Sequence, residues 1–155
     1  MPIVATAHQL STVWEIPGFS GQQQRNVRVL VLSPYQEVRQ SLRRTLEDLS
    51  TDVTVCSNRK QGEEVLARQA FELVFCDSHL PDGSFSDLIH PHHWAYRIPR
   101  VAVIIRKGDW ELHVEALEKG AFAVLHWPGC ITDVELAILR AIREEYRSCL
   151  IRATS

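Results

Sequence analysis

The chain has 155 residues, of which 45% are hydrophobic and 23% charged, and its formal net charge is -2 at pH 7. A chain of this length typically folds as one domain, and its balanced charge argues against a general basic surface for nucleic acid. No apolar run approaches the roughly 20 residues that span a bilayer, and the N-terminus lacks the charged-then-apolar pattern of a secretory signal.

The first 26 residues differ in pattern from the rest of the chain. Residues 1–26 show no sustained hydrophobic period and end in a polar run, which predicts a poorly ordered tail. Residues 27–150 are predicted to form the folded domain. Residues 27–32 are almost all β-branched or aliphatic, as is typical of a strand covered on both faces. A helical stripe follows, with apolar residues spaced four, four and three apart: Val38, Leu42, Leu46 and Leu49.

The same alternation of strand and helix continues to the C-terminus. Strands are predicted at residues 53–56, 71–76, 101–105 and 121–125. Helices are predicted at residues 63–69, 84–89 and 110–119, and a long last helix is predicted to be capped by Thr132 or Asp133. Gly120 is suited to end the fourth helix. Five buried strands alternating with five helices predict a doubly wound five-stranded parallel sheet, an α/β fold.

Polar and aromatic residues follow the strands of this predicted sheet. In doubly wound sheets the functional crevice lies at the carboxyl ends of the strands, near the switch in strand order. The residues expected around that edge are Ser33, Asp77, Ile105 and Trp127.

The segment around Asp77 carries a family resemblance. Residues 71–83, ending in the turn Leu80-Pro81-Asp82-Gly83, resemble the third strand, phosphoacceptor aspartate and following turn of response regulator receiver domains. Residues 29–32 and the start of the next helix resemble the first strand and helix of that family, and residues 120–128 resemble its fifth strand and the proline after it. The resemblance covers about residues 27–146. It implies a flavodoxin-like (CheY-like) three-layer α/β/α fold and a non-enzymatic signalling protein with Asp77 as phosphoacceptor.

The chain departs from the receiver pattern at the positions that support phosphotransfer. The resemblance places Ser33 and Pro34 where the family has an acidic pair, Ile105 where it has a hydroxyl residue, Trp127 where it has a lysine, and Val124 at its aromatic switch position. Mg²⁺ prefers hard oxygen ligands, and here the resemblance leaves Asp77 with the carbonyl of His79. A charge-assisted hydrogen bond is worth about 1.5–3 kcal/mol, so losing several removes most transition-state stabilisation. The chain is therefore predicted to be a degenerate receiver, or pseudo-receiver, without a resident cofactor.

Two roles stay open for Asp77 at this point. It is either a solvated or capping aspartate left after the chemistry was lost, or a residue with a residual phosphoryl or cation-binding role. Without flanking carboxylates, its carboxyl is expected to titrate more normally than a receiver aspartate. The alternative function is a working phosphoacceptor that autophosphorylates at Asp77 and requires Mg²⁺. A nucleotide-binding sheet is disfavoured because the chain has no glycine-rich phosphate loop.

The chain's histidines and cysteines are further candidates for metal ligands. His79, His90, His92 and His93 cluster in sequence, but no Cys or acidic partner lies at ligand spacing, which favours a polar loop. His126 is expected to be a packed residue at the sheet edge, with anion binding in its protonated form as the alternative. The four cysteines lack the paired spacing of a zinc site and favour a reducing, cytoplasmic setting: Cys56, Cys76, Cys130 and Cys149.

The resemblance also implies a partner surface on the fourth helix, fifth strand and fifth helix. Trp110 and Val124 fall there, and Trp110 is a candidate anchor, with a core or cap role as the alternative. Because no output domain follows Ser155, a stand-alone interaction module is expected. The expected partner is a histidine kinase, a phosphotransfer protein or an output protein, or a second copy in a homodimer, rather than nucleic acid or membrane.

Overall fold

The computed structural model describes residues 27–89, 99–129 and 131–154. The tail predicted at residues 1–26 and the histidines His90, His92 and His93 lie outside these ranges. In chain order the elements are β1 (Arg28–Leu32), α1 (Gln36–Asp48), β2 (Asp52–Cys56), α2 (Arg59–Arg68), β3 (Leu73–Asp77), β4 (His79–Leu80), β5 (Gly83–Ser84), α3 (Ser86–Ile89), β6 (Val101–Arg106), α4 (Trp110–Glu118), β7 (Ala123–Trp127) and α5 (Ile131–Thr154).

Five of the strands form one parallel sheet in the order β2-β1-β3-β6-β7. The strand order reverses next to β1, and β3 returns on its other side, so β1 and β3 flank the topological switch. The carboxyl ends of all five strands lie at one edge because the strands are parallel. This arrangement confirms the predicted doubly wound sheet and places its functional edge at the ends of β1, β3 and β6.

Apolar residues cover both faces of the sheet. Along β1, Val29 and Val31 pack on the face covered by α1 and α5, whereas Leu30 and Leu32 pack on the opposite face, under α2, α3 and α4. These four side chains are fully buried. Burial on both faces explains why the sequence of β1 is a continuous apolar run rather than an alternation of apolar and polar residues. Across the described ranges, no helix is both long enough and apolar enough to cross a membrane.

Two element boundaries differ from the sequence prediction for reasons visible in backbone hydrogen bonds. Helix α2 begins at Arg59 rather than at residue 63, because the Asn58 side chain accepts a hydrogen bond from the Gln61 N–H at 2.9 Å. Strand β7 begins at Ala123 rather than at residue 121. The Ala121 N–H still donates to the Ala116 carbonyl at the end of α4, so Ala121 belongs to the helix terminus.

Two further differences concern short or terminal elements. Strands β4 and β5 form a two-residue antiparallel hairpin around the Pro81-Asp82 turn, which periodicity did not predict because neither strand is long enough to show a period. The prediction that Thr132 or Asp133 caps the last helix is wrong, since α5 already begins at Ile131. Asp133 instead lies in the first turn, where its charge is favourable near the positive end of the helix dipole.

Candidate functional site

Asp77 is the last residue of β3 and lies between the neighbouring strands at the functional edge of the sheet. In the parallel register it pairs with Ile104 of β6, and the preceding Cys76 pairs with Leu32 of β1. Only 4% of its surface is exposed. The interpretation of Asp77 as a solvated or capping aspartate is therefore wrong, because the fold buries the carboxyl among three strands.

Ser33 follows β1 directly and joins Asp77 to the loop that leads into α1. The Ser33 hydroxyl is fully buried and donates a hydrogen bond to Asp77 Oδ2 at 3.1 Å. The Ser33 hydroxyl oxygen in turn accepts a hydrogen bond from the Tyr35 N–H at 3.2 Å. Ser33 therefore fixes the carboxyl group and the backbone of the loop with a single side chain.

Arg106 is a third member of this site and was not singled out from the sequence. Its Nη2 lies 3.9 Å from Asp77 Oδ2, and its guanidinium carbon lies 4.4 Å from the centroid of the Tyr35 ring. The side chain is about half exposed. A usable signal was present, since Arg106 is the first charged residue after the apolar run of β6 and so falls at the same sheet edge as Asp77.

The protonation equilibrium of Asp77 reflects opposing influences. Burial raises the pKa of the Asp77 carboxyl above its ordinary value, because the charged form loses its hydration. The hydrogen bond from Ser33, the charge of Arg106 and the N–H and charge of His79 act in the opposite direction on the same pKa, without cancelling the effect of burial. The absence of flanking carboxylates favours an ordinary pKa for Asp77, but burial still raises that pKa.

The other positions predicted at this edge lie at strand ends but contribute no charge to Asp77. Ile105 is buried in the core on the face covered by α2, α3 and α4. Trp127 is partly buried and packs on the opposite face, against the core under α1 and α5. Pro34 is partly exposed in the loop after β1. Among the described side chains, Asp77 is thus approached by a hydroxyl and a guanidinium rather than by carboxylates.

The oxygen ligands that Mg²⁺ prefers are scarce around Asp77. Within residues 27–89, 99–129 and 131–154, no group of three or more His, Cys, Asp or Glu residues is placed to hold a metal ion. Asp77 Oδ2 already faces Arg106 Nη2 at 3.9 Å. The donor set around Asp77 therefore does not fit Mg²⁺, which usually takes carboxylates plus water.

Asp82, in the turn after β3, stabilises the start of α2. Asp82 accepts hydrogen bonds from the N–H groups of Arg59 at 2.7 Å and Lys60 at 3.0 Å, in the first turn of α2. Desolvation acts to raise the pKa of Asp82, but these backbone hydrogen bonds outweigh it and lower the pKa. The turn that resembles the receiver pattern therefore clamps the start of α2 in this chain.

A second cluster lies on α4 and β7, away from Asp77. Trp110 is 66% exposed, and its ring centroid lies 5.5 Å from that of His113 and 5.1 Å from that of His126. The two imidazoles share a hydrogen bond of 2.8 Å between His113 Nδ1 and His126 Nε2. Asp109 is the residue that caps α4, through the Leu112 N–H at 3.2 Å. The alternatives of a core or cap role for Trp110 are therefore wrong.

Val124 lies next to this second cluster in β7. It is partly buried and packs against the core under α2, α3 and α4. It therefore offers only part of its side chain to a partner. The interaction surface around Trp110 and Val124 stays a prediction.

Comparison with curated proteins finds bacterial response regulators. The chain is 32% identical over 116 residues to the response regulator protein PilR of Pseudomonas aeruginosa. The aligned residues make up 75% of this chain and 26% of PilR. It is 27% identical over 125 residues to the alginate biosynthesis transcriptional regulatory protein AlgB of the same organism. That alignment covers 81% of this chain and 27% of AlgB. The chain thus spans about a quarter of the length of these relatives. No family model matches it.

Comparison with solved structures gives the same family. The fold matches the solution structure of the beryllofluoride-activated NtrC4 receiver domain dimer, with a TM-score of 0.67 and 26% identity over 76% of this chain and 97% of that one. The chain is a response regulator receiver domain. This receiver domain of two-component signalling keeps the family's sheet and strand order. The edge around Asp77, however, is built from a hydroxyl and a guanidinium.

Proposed function

We propose that this receiver domain acts as a protein-interaction module in phosphorelay signalling, without efficient Mg²⁺-dependent phosphorylation of Asp77. The observation that carries the proposal is the environment of Asp77 Oδ2, which has the Ser33 hydroxyl at 3.1 Å and the Arg106 guanidinium at 3.9 Å. A cationic side chain at that distance repels a divalent cation from the same oxygen. The module is proposed to be non-enzymatic and to need no resident cofactor.

The chemistry of phosphoryl transfer supports this proposal. The attacking carboxylate must be ionised, and positive charge and hydrogen-bond donors must meet the transferring oxygens. Burial raises the pKa of Asp77 and so opposes ionisation. Ile105 has no polar group to offer, and the neutral side chain of Trp127 packs against the core. With these groups missing, little preorganised stabilisation is left for the transition state.

The proposed partner is a protein of the same signalling chemistry: a histidine kinase, a phosphotransfer protein, an output protein or a second copy of the chain. The exposed face of α4 supports a protein partner, since Trp110, Val114 and Leu117 are 66%, 52% and 48% exposed. Large aromatic side chains often dominate the energetics of protein interfaces. The α4 face is therefore the proposed contact surface.

A phosphorylation assay tests the function. The protein is incubated with Mg²⁺ and acetyl phosphate, and its intact mass is compared with that of Asp77→Asn, with an ordinary receiver domain as positive control. We expect no aspartyl-phosphate mass shift in the wild-type chain beyond that in the variant. Stoichiometric labelling that is absent from Asp77→Asn would overturn the proposal and favour the alternative of a working phosphoacceptor.

A further inference from the structure

We infer that Arg106 is a built-in counter-cation for Asp77, held in place by Tyr35, and that its guanidinium excludes divalent cations from the carboxylate. The inference deepens the proposed function and rests on it for the identity of the site. It goes further by assigning the loss of metal binding to a specific side chain, in addition to the missing carboxylates.

The backbone around Arg106 is fixed at the sheet edge. Arg106 pairs with Trp127 of β7 in the parallel register. The next N–H, that of Lys107, donates to the Trp127 carbonyl at 2.9 Å, and the Arg106 carbonyl accepts from the Asp109 N–H at 3.2 Å. These contacts fix the position of the Arg106 backbone, and therefore the point at the carboxyl edge of the sheet from which its side chain extends.

Tyr35 holds the other end of the Arg106 side chain. The guanidinium carbon lies 4.4 Å from the ring centroid of Tyr35, within the distance at which a cation is attracted to an aromatic face. Tyr35 is in turn tied to Ser33 by its N–H, at 3.2 Å from the Ser33 hydroxyl oxygen. That hydroxyl donates to Asp77 Oδ2. Two residues of the loop after β1, with Asp77 of β3 and Arg106 of β6, thus form a closed set of contacts around one carboxylate oxygen.

Charge explains why this arrangement excludes a metal ion. The guanidinium group is a cation, so Arg106 supplies a positive charge 3.9 Å from Asp77 Oδ2. That separation exceeds a hydrogen bond, and the contact is therefore charge to charge. A divalent cation at Asp77 Oδ2 would have to displace the Arg106 guanidinium or bear its repulsion.

A metal-binding experiment tests the exclusion directly. Ser33→Asp returns one carboxylate to the site, and its Mg²⁺ affinity is compared by calorimetric titration with that of Ser33→Asp/Arg106→Ala. We expect the double variant to bind Mg²⁺ at least tenfold more tightly. The matched control is Ser33→Asp/Arg43→Ala, which removes an exposed arginine of α1 that pairs with Glu47 instead. Equal affinities in all three proteins would overturn the inference.

A second measurement covers the case in which Ser33→Asp does not fold. The Asp77 carboxyl is titrated by NMR in the chain with native Ser33. Arg106→Ala is expected to raise the Asp77 pKa, and Tyr35→Ala is expected to raise it as well, whereas Arg43→Ala leaves it unchanged. An Asp77 pKa that is the same with and without the Arg106 guanidinium contradicts the assignment.

The two proposals fail in different ways. Phosphoryl labelling of the wild-type chain would overturn the proposed function and leave the titration of Asp77 in Arg106→Ala unaffected. Conversely, an Mg²⁺ affinity that does not respond to Arg106→Ala would overturn the counter-cation while labelling stays absent.

Discussion

Asp77 carries its negative charge in a place where burial opposes that charge. Because the pKa of Asp77 in the folded protein is raised above that of the unfolded chain, the folded state binds more protons between the two values. The free energy of unfolding therefore falls as pH rises through the raised pKa. The destabilisation is absent below the ordinary aspartate pKa and fully present above the raised one.

The substitution Asp77→Asn removes this charge while its amide oxygen can still accept the Ser33 hydrogen bond. We expect Asp77→Asn to stabilise the domain at pH 7 by about 1 kcal/mol, the usual scale of a single substitution. The gain should shrink as pH is lowered toward 4, and urea denaturation at several pH values measures it. Asp52→Asn is the control, because Asp52 is exposed. A variant that is less stable than wild type at every pH contradicts this account.

Residues of the site differ in how far the sequence revealed them. Asp77 was identified because it ends an apolar strand and precedes a turn, both of which are local features. Ser33 was identified as a missing carboxylate, but its hydrogen bond to Asp77 was not. The sequence does not reveal the contact between Arg106 and Tyr35, because it joins the end of β6 to a loop that is far away in sequence. Periodicity describes the face on which a strand residue lies, not the path of a long side chain beyond the strand.

At the scale of elements, the start of α2 depends on a contact from another part of the chain. Asn58 caps the helix locally, and Asp82 accepts hydrogen bonds from the N–H groups of Arg59 and Lys60. The unsatisfied N–H groups of a helix's first turn favour a negative charge. The hairpin of β4 and β5 places Asp82 at that point, which joins α2 to the turn after Asp77.

Removing the Asp82 carboxylate tests this link. Asp82→Ala is expected to destabilise the domain by about 1 kcal/mol at pH 7, as is typical for loss of a helix-capping side chain. Because the pKa of Asp82 is lowered on folding, its contribution is present above the ordinary aspartate pKa and is lost as pH falls through the lowered value. Thermal unfolding at pH 7 and pH 3 checks both points.

Asp82→Asn is the matched variant for this experiment. Its amide oxygen still accepts a hydrogen bond, so part of the lost stability should return, and its stability relative to Asp82→Ala should not depend on pH. Equal stability of wild type, Asp82→Ala and Asp82→Asn at pH 7 would show that the clamp contributes nothing.

At the scale of the whole molecule, the sheet separates two regions of different character. The carboxyl edge carries the buried Asp77 and its cation, whereas the α4 face carries exposed apolar side chains. The proposed interaction module requires a contact surface rather than a catalytic centre. The α4 face is therefore where substitution is predicted to affect function without affecting stability.

Trp110→Ala tests this separation. Since Trp110 is 66% exposed, its removal should change the free energy of unfolding by less than about 0.5 kcal/mol. Recovery of a two-component partner in pull-down, or self-association measured by analytical ultracentrifugation, should fall at least several-fold. Glu111→Ala, an exposed neighbour on α4, is the control and should bind as wild type does. Unchanged recovery and unchanged self-association in Trp110→Ala would count against this surface.

The sequence by itself determined the fold and the position of Asp77. Five apolar runs separated by helical stripes are local patterns, and they specify a parallel sheet because each strand must be covered on both faces. The absence of carboxylates at Ser33 and Pro34 was equally visible. Boundaries shifted where helix termini form hydrogen bonds that periodicity does not show: Asn58 caps the start of α2, and the Ala121 N–H donates to Ala116 at the end of α4.

Only the tertiary structure decided what surrounds Asp77. The crossovers between parallel strands bring the ends of β1, β3 and β6 to one edge, and that closeness buries the Asp77 carboxyl and raises its pKa. The same geometry places Arg106 between Asp77 and Tyr35. Distances between side chains from three separate elements depend on how those elements pack, so no spacing along the sequence could have specified them.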